Sequence, residues 1–313
     1  MPYEWMDNWA RIPDSPSGRA NGRTHAVCVT REGNIVVFHQ AENGLATYDP
    51  QGKLISAVGG SRWLGAHGMT KIVAGGQEFL WLADQNSAEV VKVTLQGKTV
   101  MELSPPVHPA YTGPDAKTYV PTWAAENPLN GEIWVGDGYG AHLLHRYAKD
   151  GRHVDTIDSP GAAGRLHETH GVNFRVKDGK AELFVTSRSD HRIVVLDGDG
   201  RFLRQATTCH SPCGFDFLGN HVVVPELFTG VKVLDADTLG VITEIGSSDR
   251  VKPNPDGSWW PPITPAGWPD LAGTEHVRPG FFNSPHGACF APNGDIFAVE
   301  WIIGGRITRL HKV

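Results

Sequence analysis

Cysteine is scarce. The chain of 313 residues has four, Cys28, Cys209, Cys213 and Cys289. No two form a CxxC pair, so neither a dense disulfide framework nor a four-cysteine metal site is available. Long apolar runs are absent although hydrophobic residues make up 40% of the chain, so no segment reads as a transmembrane helix. Clusters of Lys and Arg are absent too. Lys plus Arg number 28 against 34 Asp plus Glu, for a net charge of −6. That balance argues against nucleic acid or an anionic membrane as partner. The opening stretch MPYEWMDNWARIPDSPSG lacks the charged-then-apolar pattern of a signal peptide, and a soluble, cytoplasmic protein is expected. What is plentiful is Gly (37) and Pro (22), the residues of turns, and His (15).

The chain repeats. Residues 25–58 carry two strand patterns, a Gly-Asn turn, a third strand, then DPQGK and a fourth. Residues 67–103, 122–157, 170–206 and 213–245 follow the same plan, and 286–313 stops after three strands. Each copy reads as a four-stranded antiparallel meander. One such sheet cannot cover its own faces, so copies must stack, and six arranged radially make a β-propeller. The expectation is an all-β, single-domain protein over 1–313. Its blades are placed at about 24–58, 67–103, 121–157, 170–206, 211–245 and 286–313, with insertions at 104–121 and 246–285. The truncated sixth copy needs an outer strand, and NWARIP (8–13) at the N-terminus fits, closing the ring. The blades resemble those of the NHL type: GFFNSPHGACFAPNGDIFAVEWIIGGRITRL carries Gly-x-Phe, Pro-x-Gly, an Asn-Gly turn and a short strand before Arg-Ile.

Histidine recurs in one register. The first strand of each copy starts with His25, His67, Thr122, His170, Cys213 and His286. The second strand returns antiparallel, so its end lies beside that start. Those ends carry His39 with Gln40, Asp84, Asp137 with Tyr139, Ser187 with Arg188, Glu226, and Glu300 with Trp301. All are expected at one mouth of a central channel. His67, His170 and His286 fall in alternate blades, about 120° apart by propeller symmetry. Each is followed by Gly, which lets the backbone approach closely. Three neutral imidazoles converging on an axis suit a divalent metal with open positions: zinc, or another divalent transition metal. His25, followed by Ala26, reads as pocket-lining, and Cys213 as an extra ligand, a nucleophile or a buried small residue.

This set resembles the peptidyl-α-hydroxyglycine α-amidating lyase family, six-bladed propeller enzymes with a catalytic zinc on three His in Pro-His-Gly-like contexts. The resemblance implies zinc on His67, His170 and His286. It implies a catalytic Tyr139 in Val135-Gly136-Asp137-Gly138-Tyr139, and a catalytic-site Arg188 in Thr186-Ser187-Arg188-Ser189-Asp190. Three departures stand out. Gln40 replaces an active-site Arg after Phe38-His39. Gly140 replaces a disulfide-forming Cys after the Tyr. Gly287 replaces the Asp of a calcium site, which speaks against calcium. The reaction implied is cleavage of the C–N bond of an α-hydroxylated amide, a carbinolamide, with Tyr139 moving a proton beside the Arg188 cation. Glu226 and Glu300 are read as partners that orient a metal-bound His, or as general bases if the metal activates water. The latter chemistry would make a zinc-dependent hydrolase such as a lactonase; a non-enzymatic NHL binding module is the remaining alternative. Tyr111 and Tyr119 of the first insertion, with Trp259, Trp260 and Trp268 of the second, are candidates for an apolar roof over the mouth. Such a roof favours a small-molecule substrate with an aromatic or apolar part.

Overall fold

The structure, a computed structural model, describes residues 2–247 and 277–313. Trp259, Trp260 and Trp268 lie outside the described residues. Six four-stranded antiparallel sheets follow one another, the blades of a six-bladed β-propeller. Blade 1 comprises Thr24–Val29, Ile35–His39, Leu45–Tyr48 and Leu54–Val58. Blade 2 comprises Ala66–Ala74, Gln77–Asp84, Glu89–Thr94 and Thr99–Glu102. Blade 3 comprises Trp123–Glu126, Ile133–Gly136, Leu144–Tyr147 and His153–Ile157. Blade 4 comprises Thr169–Lys177, Lys180–Ser187, Arg192–Asp197 and Phe202–Ala206. Blade 5 comprises Asp216–Leu218, His221–Pro225, Val231–Asp235 and Val241–Ile245. Blade 6 comprises Pro285–Phe290, Ile296–Glu300 and Arg306–Lys312, with Tyr3–Ala10 from the N-terminus as its fourth strand.

That closing strand starts earlier than the 8–13 segment expected. Tyr3 pairs with Lys312, Trp5 with Leu310 and Ala10 with Ile307. Its side chains alternate: Trp5 meets Phe282 at 4.5 Å between ring centroids, and Trp9 meets Phe297 at 4.8 Å. Asn8, with φ 47°, breaks the register between Met6 and Ala10, so the apparent start at Asn8 is a bulge inside the strand.

By contact the chain forms two compact units. Residues 1–64 with 208–313 hold blades 1, 5 and 6, and residues 65–207 hold blades 2, 3 and 4. In the second unit, Trp81, Ala83 and Val90 of blade 2 pack against Ala124, Val135 and Tyr147 of blade 3. In the first, Val37 and Tyr48 of blade 1 pack against Phe297 and Val299 of blade 6. Side chains of this size stabilise by about 1.5–3 kcal/mol each when fully buried. In the second unit a buried aromatic on the second strand carries a cation held by a glutamate. Lys92 lies 5.9 Å from the Trp81 ring and pairs with Glu126 at 2.6 Å. Arg146 lies 5.5 Å from Trp134 and pairs with Glu132 at 2.7 Å. Arg204 lies 5.6 Å from Phe184 and pairs with Glu182 at 2.7 Å.

Candidate functional site

The His-Gly pairs sit in β-bulges. Pairing shifts register between Ala66 and Met69, between Thr169 and Val172, and between Pro285 and Gly287. A bulge turns one side chain away from the pleat and re-aims it. Glycine is required beside it. A Cβ on Gly287 would lie 2.6 Å from the His25 carbonyl oxygen and 2.8 Å from Ala26 Cα. A Cβ on Gly68 would strike the Thr122 oxygen and come within 2.7 Å of Trp123 Cα.

The bulge brings two of these imidazoles to the neighbouring blade. In the second unit, His67 Nδ1 is 2.7 Å from the Thr122 carbonyl oxygen. In the first, His286 Nδ1 is 2.9 Å from the His25 carbonyl oxygen. A carbonyl only accepts, so Nδ1 carries the proton in both rings and Nε2 keeps its lone pair. Thr122 continues the series, its hydroxyl 2.8 Å from the His170 carbonyl oxygen.

The second unit assembles four of the expected site residues. Tyr139 projects from the turn after Ile133–Gly136 and is 38% exposed, whereas His67 and His170 are fully buried. The Tyr139 hydroxyl lies 3.1 Å from Nε2 of His67 and 3.1 Å from Nε2 of His170. Arg188, on the short 3-10 turn Arg188–Asp190, donates from Nη2 to the Tyr139 oxygen at 3.0 Å and from Nη1 to His170 Nε2 at 2.8 Å. An arginine donates only, so His170 Nε2 also presents a lone pair. One phenolic proton therefore faces two imidazole acceptors, with a guanidinium behind the oxygen.

Arg188 is paired with Glu168, which also accepts from the Ser189 hydroxyl. Glu168 holds φ at +56°, a left-handed conformation uncommon outside Gly, Asn and Asp. The sequence reading did not single out Glu168. Its only signal was an acidic residue directly before Thr169-His170.

The first unit brings other expected residues together. The His25 and His286 rings lie 4.4 Å apart, and His25 lies 6.5 Å from Trp301. Arg23 covers Trp301 at 5.2 Å and donates to Gln40 Oε1 at 3.3 Å. His39 is fully buried, and burial pushes its imidazole down to about 4. Cys213 is fully buried, its thiol 3.5 Å from the Ser211 carbonyl.

The carboxylates at the second-strand ends act as pegs within their own blades. Asp84 accepts from the backbone N–H of Gly65 at 2.8 Å and of Asn86 at 2.9 Å. Asp137 accepts from Val120 at 2.8 Å and Ala141 at 2.6 Å. Glu226 accepts from His210 N and Thr229 Oγ1 and pairs with Lys232 at 3.0 Å. Glu300 accepts from Asn283 and Ser284 and pairs with Arg306 at 2.8 Å. Each therefore ties the loop entering the first strand to the end of the second. Tyr111 and Tyr119 do not form a roof: Tyr119 is buried in the core shared by blades 2 and 3, and Tyr111 packs against it.

The donor set fits a divalent metal in one respect that the structure displays. A metal-bound His usually gives its second ring N–H to a carbonyl or carboxylate, and the Nδ1–H groups of His67 and His286 do so. At His170 it is the Nε2 lone pair that Arg188 takes, so a metal there requires the guanidinium to withdraw.

No protein-family model matches the chain, and no curated protein matches it. Solved structures do. A streptogramin B lyase shares 15% identity at a TM-score of 0.61, over 99% of this chain and 97% of that one. A catalytically inactive His-to-Ala variant of virginiamycin B lyase from Staphylococcus aureus, with quinupristin, shares 12% at 0.60, over 99% and 100%. Selenomethionine-substituted virginiamycin B lyase from the same organism shares 12% at 0.59, over the same spans. At these identities the likeness is one of fold, and it extends over the whole chain.

Proposed function

We propose that the protein is a metal-assisted lyase whose proton-transfer group is Tyr139. The carrying observation is that its hydroxyl lies within hydrogen-bond reach of two imidazole lone pairs and receives a guanidinium N–H. Arg188 would stabilise the oxygen of such a phenol once ionised; with a metal on the imidazole Nε2 atoms, the phenolic proton would leave through the exposed face of Tyr139 to solvent. Its partial exposure leaves a face for substrate. His67, His170 and His286 would hold a divalent metal, most simply zinc; His286 is included because it occupies in blade 6 the register of the other two. Bound there, the ion supplies Lewis acidity to a substrate oxygen.

For a carbinolamide the step balances without a co-reactant. The ionised Tyr139 takes the hydroxyl proton, the oxygen's electron pair closes a carbonyl, the C–N bond breaks, and Tyr139 hands that same proton to the leaving nitrogen. Calcium has no part in this reading, nor has nucleic acid or a membrane partner. Hydrolysis needed Glu226 or Glu300 as a free base, and both carboxylates are engaged as pegs. The fold neighbours are themselves lyases by name, which supports the reaction class and adds a streptogramin B to the substrates worth testing.

The test is to incubate zinc-supplemented protein with an N-acyl α-hydroxyglycine and with a streptogramin B, and to follow glyoxylate release from the first and consumption of the second by mass spectrometry. Turnover of either, lost in Tyr139→Phe, supports the assignment. Equal turnover by Tyr139→Phe removes Tyr139 from the mechanism, and no turnover of either substrate counts against the lyase.

A further inference from the structure

A second hydrogen-bonded chain runs through blade 3 and ends at the turn that carries Tyr139. The Tyr111 hydroxyl, on the 3-10 turn Pro109–Tyr111 of the 104–121 insertion, is 2.6 Å from Asp137 Oδ2 and 2.7 Å from His145 Nε2. His145 Nδ1 is 2.9 Å from the Thr156 hydroxyl, which is 3.0 Å from His153 Nε2. Asp137 and His145 are both fully buried. Burial pushes the His145 imidazole down to about 3, with His153 and His108 adding to the effect, so the ring is neutral at physiological pH. Burial raises the Asp137 carboxyl, and the Tyr111 hydroxyl and the Ala141 and Val120 N–H groups oppose that rise.

The proton positions follow from counting. Tyr111 has one hydroxyl proton and gives it to the carboxylate. Its oxygen then accepts, so His145 carries its proton on Nε2. The bare Nδ1 accepts from Thr156, whose oxygen accepts from His153. Every donor in the chain points the same way, toward Asp137, an arrangement in which each bond polarises the next. Asp137 also fixes the turn itself: its Oδ2 takes the Ala141 N–H, and its backbone oxygen takes the His142 N–H at 2.9 Å. Tyr139 lies inside that turn, between these two anchor points and the carboxylate.

We propose that Tyr111 and His145 are positioning residues, which aim the Tyr139 hydroxyl by holding Asp137 through a one-directional hydrogen-bond chain. The insertion is then a working part of the site, acting through Asp137 on the turn. The kinetic half of the test rests on the lyase reading; the spectroscopic half does not.

The experiment uses the full chain labelled with 3-fluorotyrosine. The resonance of position 139 is assigned by its loss in Tyr139→Phe. Tyr111→Phe removes one hydroxyl, Thr156→Val cuts the chain at its outer end, and Tyr48→Phe, in blade 1, is the control. The expected result is a shifted or broadened Tyr139 resonance in Tyr111→Phe, a smaller change in Thr156→Val and none in Tyr48→Phe. With a turned-over substrate in hand, kcat falls about tenfold in Tyr111→Phe at unchanged KM, a pattern of lost transition-state alignment. If Tyr111→Phe does not fold, Thr156→Val alone decides. A Tyr139 resonance unmoved in a folded variant overturns the proposal, whatever the enzyme's substrate proves to be.

Discussion

The Tyr139 hydroxyl stands 3.1 Å from His67 Nε2. The other nitrogen of that imidazole is spent on the Thr122 carbonyl, which fixes the tautomer. One side chain thus serves two purposes. Nδ1 clasps blade 2 to blade 3, and Nε2 faces the site. The bland role of a propeller histidine and the functional one are carried by different atoms of one ring.

The first consequence concerns Tyr139→Phe. The ring is part-exposed and its hydroxyl bonds the side chains of His67, His170 and Arg188, so thermal stability should hold. Turnover should fall by about 10²-fold or more, the usual scale of a lost general acid–base group. Parallel melting curves and kcat measurements check both halves.

Arg188→Lys tests the guanidinium. Nη1 and Nη2 reach His170 and Tyr139 together, and a single ammonium cannot reproduce that fork. A fall in kcat of about tenfold or more is expected, with the fold retained by circular dichroism. Full activity in the lysine variant would show that charge alone suffices.

Gly68→Ala and Gly287→Ala test the blade clasp. The added methyl would strike the Thr122 and His25 carbonyls respectively. Each should lower stability by about 1–3 kcal/mol in urea unfolding, the usual cost of overpacking. Gly76, with nothing near its Cβ position but φ at +78°, should cost only about 1 kcal/mol when replaced by Ala.

His39 sets a pH dependence. Its imidazole is held at about 4 by burial, and neither ring nitrogen has a hydrogen-bond partner among the described residues. Unfolded, a histidine titrates near 6.5. Between pH 6.5 and 4 the unfolded chain binds a proton that the folded chain refuses. This contribution to stability is therefore full above pH 6.5 and is lost as pH falls toward 4, by about 2 kcal/mol at pH 5. In His39→Leu, urea midpoints across this window should fall less steeply with acid. An unchanged slope would mean that His39 does not titrate on unfolding.

The propeller was legible because turns and strand alternation recur at a steady spacing, and both are local properties of the chain. The register of His67, His170 and His286 was legible for the same reason. Direction was not. Asp84, Asp137, Glu226 and Glu300 were correctly seen to end second strands, but the pattern gives no sign that their carboxylates turn onto their own loops. Tyr119 looked like a roof residue because it is an aromatic in a long insertion between repeats, yet it completes the core of blades 2 and 3. Glu168 was missed because its role depends on a left-handed backbone and on the fold bringing Arg188 to it.

The most direct measurement is metal content by elemental mass spectrometry, after zinc resupply and dialysis, on the wild-type protein and on His67→Ala and Tyr139→Phe. About one zinc per chain is expected in the wild type and in Tyr139→Phe, as three imidazole ligands allow, and none in a folded His67→Ala. A wild-type protein that retains no divalent metal would contradict the metal-assisted lyase and leave Tyr139, His67, His170 and Arg188 as a metal-free constellation.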